Sequence, residues 1–168
     1  MQDRRTRALC VLVLVLLAPV AQSCPISSGI ADFAVPAGTP VEAAAGELAA
    51  PELQVVSITR GVGERHASCD DVGLLTLQLY WPRGNDYKLR DIGFRFQAIG
   101  ADTGYAIFPA GAVSGKVDGR KSQFVFMWRD GAPSTQRPLD FEVEVRAVTR
   151  GNVIGPPTRL RIASAPSG

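Results

Sequence analysis

From Glu52 onward, apolar and polar residues alternate along the chain with a period of two. "LLTLQLYW" puts Leu75, Leu77, Leu79 and Trp81 on one face and Thr76, Gln78 and Tyr80 on the other. "DIGFRFQAI" does the same with Ile92, Phe94, Phe96 and Ala98 against Arg95 and Gln97. "FEVEVRAV" sets Phe141, Val143, Val145 and Ala147 inward and Glu142, Glu144 and Arg146 outward, and "TRLRI" turns Leu160 and Ile162 inward. This is the pattern of strands with one buried face. "LQVVSITR" supplies a first strand and "YAIF" a short one. "SQFVFMW" is apolar on both faces and predicts a central strand. Outward Glu142 and Glu144 are expected to pair with Arg159 and Arg161 across a hairpin.

Turn signals separate the runs: "PRGNDYK", "GADTG", "PAGAVSGKVDGRK", "RDGAPSTQRP" and "TRGNVIGPP". Short alternating strands between Gly, Pro, Asn and Asp, with no amphipathic helical stretch, predict an all-β antiparallel sandwich of about seven strands. The order of motifs resembles a fibronectin type III domain. "PELQVVSIT" opens with a Pro before an apolar strand. "LTLQLYWPRGN" is similar to that family's second strand, which ends in a core Trp and a Pro-bearing loop. "IGFRFQAI" is similar to its third, and "RPLDFEVEVRAVTRGNVIGPPTRLRI" to its last hairpin. Phe141 stands where the family carries a Tyr whose hydroxyl bonds back to the preceding loop. The resemblance implies an immunoglobulin-like sandwich over residues 52–163, with a role in adhesion, scaffolding or protein interaction. The family's RGD tripeptide is absent.

The N-terminus is of another kind. Arg4, Arg5 and Arg7 precede an apolar run from Ala8 to Ala21. That run matches a signal h-region and is shorter than the ~20 residues a bilayer span requires. A signal peptide over 1–23 is expected, with cleavage before Cys24. "VAQSC" resembles a bacterial lipobox, which implies lipidation of Cys24 and a membrane anchor on the bacterial envelope. The alternative is a Cys24–Cys69 disulfide in a soluble, secreted or periplasmic protein, because an oxidising compartment favours pairing of the two mature cysteines. Residues 24–51 are rich in Ala, Gly and Pro and lack apolar periodicity, so a flexible tether is expected there. A disordered tail is expected over 164–168.

The whole chain is formally +2, and residues 52–168 hold 15 basic and 12 acidic groups. A net of +3 is too slight to indicate nucleic acid. Chemistry-bearing motifs are sparse. His66 is the one His, in "GERHASCDD", and neither a CxxC pair nor a phosphate loop is present. The reading is therefore a non-enzyme with no metal and no cofactor. Tyr80, Tyr87 and Tyr105 are the candidate binding surface, and the loops "PRGNDYK" and "PAGAVSGKVDGRK" are the places where recognition is expected. Arg83, Lys88, Arg90 and Arg95 with Tyr87 form a mild basic-aromatic stretch, read as an exposed edge and loop. The expected partner is an envelope protein or polysaccharide, either for a scaffolding module or for a carbohydrate-binding or enzyme-accessory one.

Overall fold

The computed structural model describes residues 26–63, 69–84, 86–100 and 104–167. Among the described residues, ten strands form two sheets: β1 (Ala31–Asp32), β2 (Val41–Glu42), β3 (Glu52–Thr59), β4 (Val72–Tyr80), β5 (Ile92–Ile99), β6 (Val113–Ser114), β7 (Lys116–Asp118), β8 (Lys121–Arg129), β9 (Leu139–Thr149) and β10 (Val153–Ser164). One sheet has the order β1-β6-β5-β9-β10-β2 and the other β3-β4-β8-β7. Pairing is antiparallel except between β10 and β2. The architecture is an all-β sandwich, compatible with an immunoglobulin-like or fibronectin type III-like domain. Among the described residues, no helix is long and apolar enough to cross a membrane.

The period of two places the core. Leu75, Leu77, Leu79, Phe124, Phe126 and Trp128 of the small sheet meet Phe94, Phe96, Phe141, Val143 and Val145 of the large one, all buried. Phe96 packs 4.9 Å from Phe124 and 4.8 Å from Phe126, centroid to centroid. Such tilted and edge-on ring pairs contribute ~0.5–1.5 kcal/mol each beyond their burial. Two inward positions fall short of expectation: Ala98, near the end of the β5 pairing, is exposed, and Leu160 is only half-buried, because among the described residues no strand flanks β10 on its far side beyond Ile154.

Of three other expectations, two are corrected. "YAIF" is no strand, although Ile107 is buried and Phe108 stacks 5.9 Å from Phe96. "SQFVFMW" is β8 and takes the central place expected for it, between β4 and β7. Met127 is 38% exposed on its outer face, so the strand alternates despite its apolar sequence. Across the last hairpin Arg159 bonds Glu144 at 3.0 Å, whereas Arg161 takes the diagonal Asp140 at 2.9 Å instead of Glu142. Exposed pairs of this kind contribute ~0–1 kcal/mol and mainly hold register.

The described part of the expected tether is folded onto the domain. β1 pairs with β6, and β2 extends the large sheet beside β10. Phe33 lies across Gly93, where an added Cβ would clash with its ring, and Leu48 covers Gly155, where an added Cβ would stand 3.1 Å from its own. Both side chains are buried. The turn residue Asn152, at φ 61°, holds the same stretch: its Nδ2 donates to the Gly38 carbonyl and its own carbonyl accepts from the Val41 N–H.

The expected tail is also bound. Arg60, at the end of β3, forms a bidentate ion pair with Asp130, at the end of β8, through two bonds of 2.8 Å. Both side chains are almost wholly buried. Arg60 also donates to the carbonyls of Arg137, Ser164 and Ala165. Asp130 accepts from the Gly61 N–H and from Trp128 Nε1. Ser167 closes the knot by donating to the Gly61 carbonyl and to Gln136 Oε1.

Burial by itself pushes the Asp130 carboxyl up, but the hydrogen bonds from Arg60, Gly61 and Trp128 outweigh it and leave the group below its ordinary value. A depressed carboxyl contributes stability above the unfolded value of about 4, and that contribution is lost as the pH falls through the lower folded value. Asp130→Ala leaves a buried guanidinium unpaired, so a loss of ~3–5 kcal/mol is expected in urea unfolding at neutral pH. The difference from wild type should shrink below about pH 4. A loss under 1 kcal/mol at neutral pH would show that the pair does not hold the domain together.

Candidate functional site

The two ends of the sandwich differ. At one lie the Arg60 knot, Trp128, Tyr105 and Cys69. Tyr105 accepts a 3.0 Å hydrogen bond from the Arg137 N–H, and its ring lies 6.2 Å from that of Trp128. The segment before β9 is thus held by Tyr105 and Arg60, while Phe141, which lacks a hydroxyl, serves packing alone. The Cys69 sulfur is held in a disulfide. The chain's other cysteines, Cys10 and Cys24, lie outside the described residues, and so does the lipidation expected at Cys24. Ile26 lines a cavity of about 470 Å³ together with Asp71, Val72 and Trp128. His66 lies outside the described residues as well. Among those residues no group of three or more His, Cys, Asp or Glu could hold a metal ion.

At the opposite end the two loops singled out for recognition converge. "PRGNDYK" and the turn between β7 and β8 enclose a cavity of about 500 Å³. Trp81, Pro82, Tyr87, Leu89 and Val117 give it apolar walls, and Arg83, Lys88, Arg90 and Arg120 give it four cations. None of its lining residues is acidic.

Its construction follows from the strands beneath. Trp81 is the last core residue of the β4 alternation and is 3% exposed. Its backbone N–H donates to the Arg120 carbonyl, and its Nε1 donates to the Tyr87 carbonyl at 3.0 Å. One core side chain therefore fixes both loops. Arg120 Nη1 donates to the Trp81 carbonyl at 3.2 Å, which steers that guanidinium across the cavity wall. Buried Leu89 anchors the short 3-10 turn Leu89–Asp91, leaving Lys88 and Arg90 exposed on either side of it. Arg90 stands a loose 4.0 Å from Asp91, with both side chains mostly in solvent. The Tyr87 hydroxyl donates to Glu47 Oε1 at 3.4 Å. Burial first, and the Glu47 charge second, raise its phenol above the ordinary tyrosine value.

The three candidate tyrosines do not share a surface. Tyr87 lines the cavity. Tyr80 bonds Gln78 on the outer face of the small sheet and lies under the Lys121 ammonium at 5.2 Å. Tyr105 belongs to the far end. Arg95 also leaves the group read from sequence, since it reaches over the large sheet to Asn152 Oδ1. Arg120 and Val117 were not foreseen. They lie about 30 residues beyond Arg90, and only the pairing of β4 with β8 brings them back to Trp81. The Gly-Arg-Lys turn of "VDGRK" was the available signal.

No family model matches the chain, and no curated protein or solved structure matches it.

Trp81→Phe retains most of the buried ring but removes the donor to Tyr87. A loss of ~1 kcal/mol in global stability is expected from the missing hydrogen bond, with faster amide exchange confined to residues 82–90. Unchanged exchange there would show that Trp81 does not fix the loop.

Proposed function

We propose that the chain is an exported, non-catalytic binding module of the bacterial envelope, built as a fibronectin type III-like sandwich and closed by a Cys24–Cys69 disulfide. The observation that carries this reading is the disulfide at Cys69. Disulfides persist in oxidising compartments and are rare in the cytosol, which agrees with a signal peptide over residues 1–23. After cleavage before Cys24, the mature chain keeps one other cysteine. Ile26, two residues beyond Cys24, shares a cavity wall with Asp71 and Val72, just beyond Cys69. That neighbourhood favours the disulfide over a lipid thioether. The two exclude each other because each uses the Cys24 sulfur.

The topology supports an immunoglobulin-like sandwich. Leaving out the two-residue strands, β3-β4-β8-β7 against β5-β9-β10 follows the A-B-E-D and C-F-G division of a constant-type immunoglobulin sandwich. Binding follows from the cavity at the Trp81 end, where two loops on a fixed frame enclose charged and apolar walls, the usual place for recognition on such a scaffold.

Intact mass of the full-length chain, expressed in a Gram-negative host and measured with and without reductant, tests the proposal. The expected product is soluble, starts at Cys24, carries no diacylglycerol and gains the mass of two hydrogens on reduction. A diacylglyceryl Cys24, or a cytosolic product that keeps its first 23 residues, would overturn it.

A further inference from the structure

We propose that the cavity between the β4–β5 loop and the β7–β8 turn binds an acidic polysaccharide, with Arg83, Lys88, Arg90 and Arg120 holding its anionic groups and Tyr87 and Val117 lying against its sugar rings. The inference deepens the binding-module reading and rests on it.

The four lining cations come from two loops and face no acidic side chain within the lining. Two nearby acids are otherwise engaged, while Asp86 and Asp118 lie exposed in the same two loops, outside the lining. Glu47 accepts from the Tyr87 hydroxyl and from the Ala44 N–H, and Asp91 faces Arg90. The outer face of the large sheet is different. Arg146, Arg159 and Arg161 there are matched by Glu42, Glu144 and Asp140. The sandwich thus matches those three arginines with acids of their own and gathers Arg83, Lys88 and Arg120 around a concavity, where low-dielectric walls strengthen the field.

The shape selects among anions. Val117 is 41% exposed beside the half-buried Tyr87, and together they offer an apolar wall with a polar rim. Such a wall suits the C–H face of a sugar ring, and the rim suits its carboxylates. An acidic peptide would bind best by adding a strand to a sheet edge. The edge at this cavity is β7, which has only three residues, all exposed. A row of stacked bases would require several aromatic platforms. Tyr87 is the single half-exposed ring on the wall, because Trp81 is buried.

The test is titration calorimetry of the mature exported protein with a defined oligogalacturonate. Neutral dextran, poly-Glu and polyphosphate serve as comparisons. The proposal expects saturable binding of oligogalacturonate that weakens as NaCl rises, with no heat from dextran and at least tenfold weaker binding of poly-Glu and polyphosphate. The double variant R83Q/K88Q and the single variant R120Q should each weaken binding at least tenfold. All three side chains are exposed, so the fold should be kept, with circular dichroism as the check. Arg161→Gln, on the neutralised face, should bind as wild type does. Absence of binding, equal binding of poly-Glu or polyphosphate, or variants that bind like wild type would each overturn the proposal. Those outcomes leave the export reading standing, since it is decided by mass alone.

Discussion

Much of this domain depends on one buried ion pair. Arg60 and Asp130 both follow strands of the small sheet, yet the remaining donors of Arg60 go to carbonyls that precede and end the last hairpin of the large one. The pair therefore fastens the two sheets together at one end. Removing two charges from water is costly, and a buried pair is often no better for stability than well-packed apolar residues. What it supplies is a fixed geometry. Both Asp130 oxygens are occupied by the guanidinium and by the Gly61 and Trp128 donors, so β3, β8 and the chain end have one mutual arrangement. The Cys69 disulfide lies at the same end.

Closing one end frees the other. At the Trp81 end, the loops are held to the frame by single core residues and short backbone bonds, while their charged side chains remain in solvent. Trp81 joins the two regimes, with its ring 6.1 Å from Phe94 in the core and its indole N–H fixing Tyr87 at the rim. A scaffold made rigid at one end can vary the other without loss of fold, the arrangement by which sandwiches carry recognition loops. The cations lining that cavity are then the feature that the proposed ligand would read.

How much of this was legible in the sequence varied with the kind of signal. The long strands were legible because burial on one face forces a period of two, and Leu75 through Trp81 kept that period to the last residue. β8 was legible as a central strand, but the exposure of Met127 on its outer face was not. The stretch before residue 51 was read as a tether because its composition carries no period. It docks through isolated side chains instead, Phe33 over Gly93 and Leu48 over Gly155. One trace of that docking lay elsewhere in the chain, in Gly93 inside a strand-like run, where a glycine often marks a close approach of another segment, whereas Gly155 fell in a stretch that reads as a turn. Of the two recognition loops, "PRGNDYK" carries no strand among its described residues, whereas "PAGAVSGKVDGRK" holds the short strands β6 and β7 and meets the cavity through Val117 and the Gly119–Arg120 turn. Their convergence was not legible, because it depends on the register of β4 with β8, which the local pattern does not state. The Arg60 knot was hidden for the same reason, since its two charges lie 70 residues apart.

The most direct test of the account is a map of backbone amide shifts by nuclear magnetic resonance as oligogalacturonate is added to the oxidised, mature protein. The account predicts shifts confined to residues 81–90 and 117–121, with the amides around Arg60, Asp130 and Gln136 unmoved. Shifts centred on the Arg60 end, or spread over the charged face of the large sheet, would contradict it.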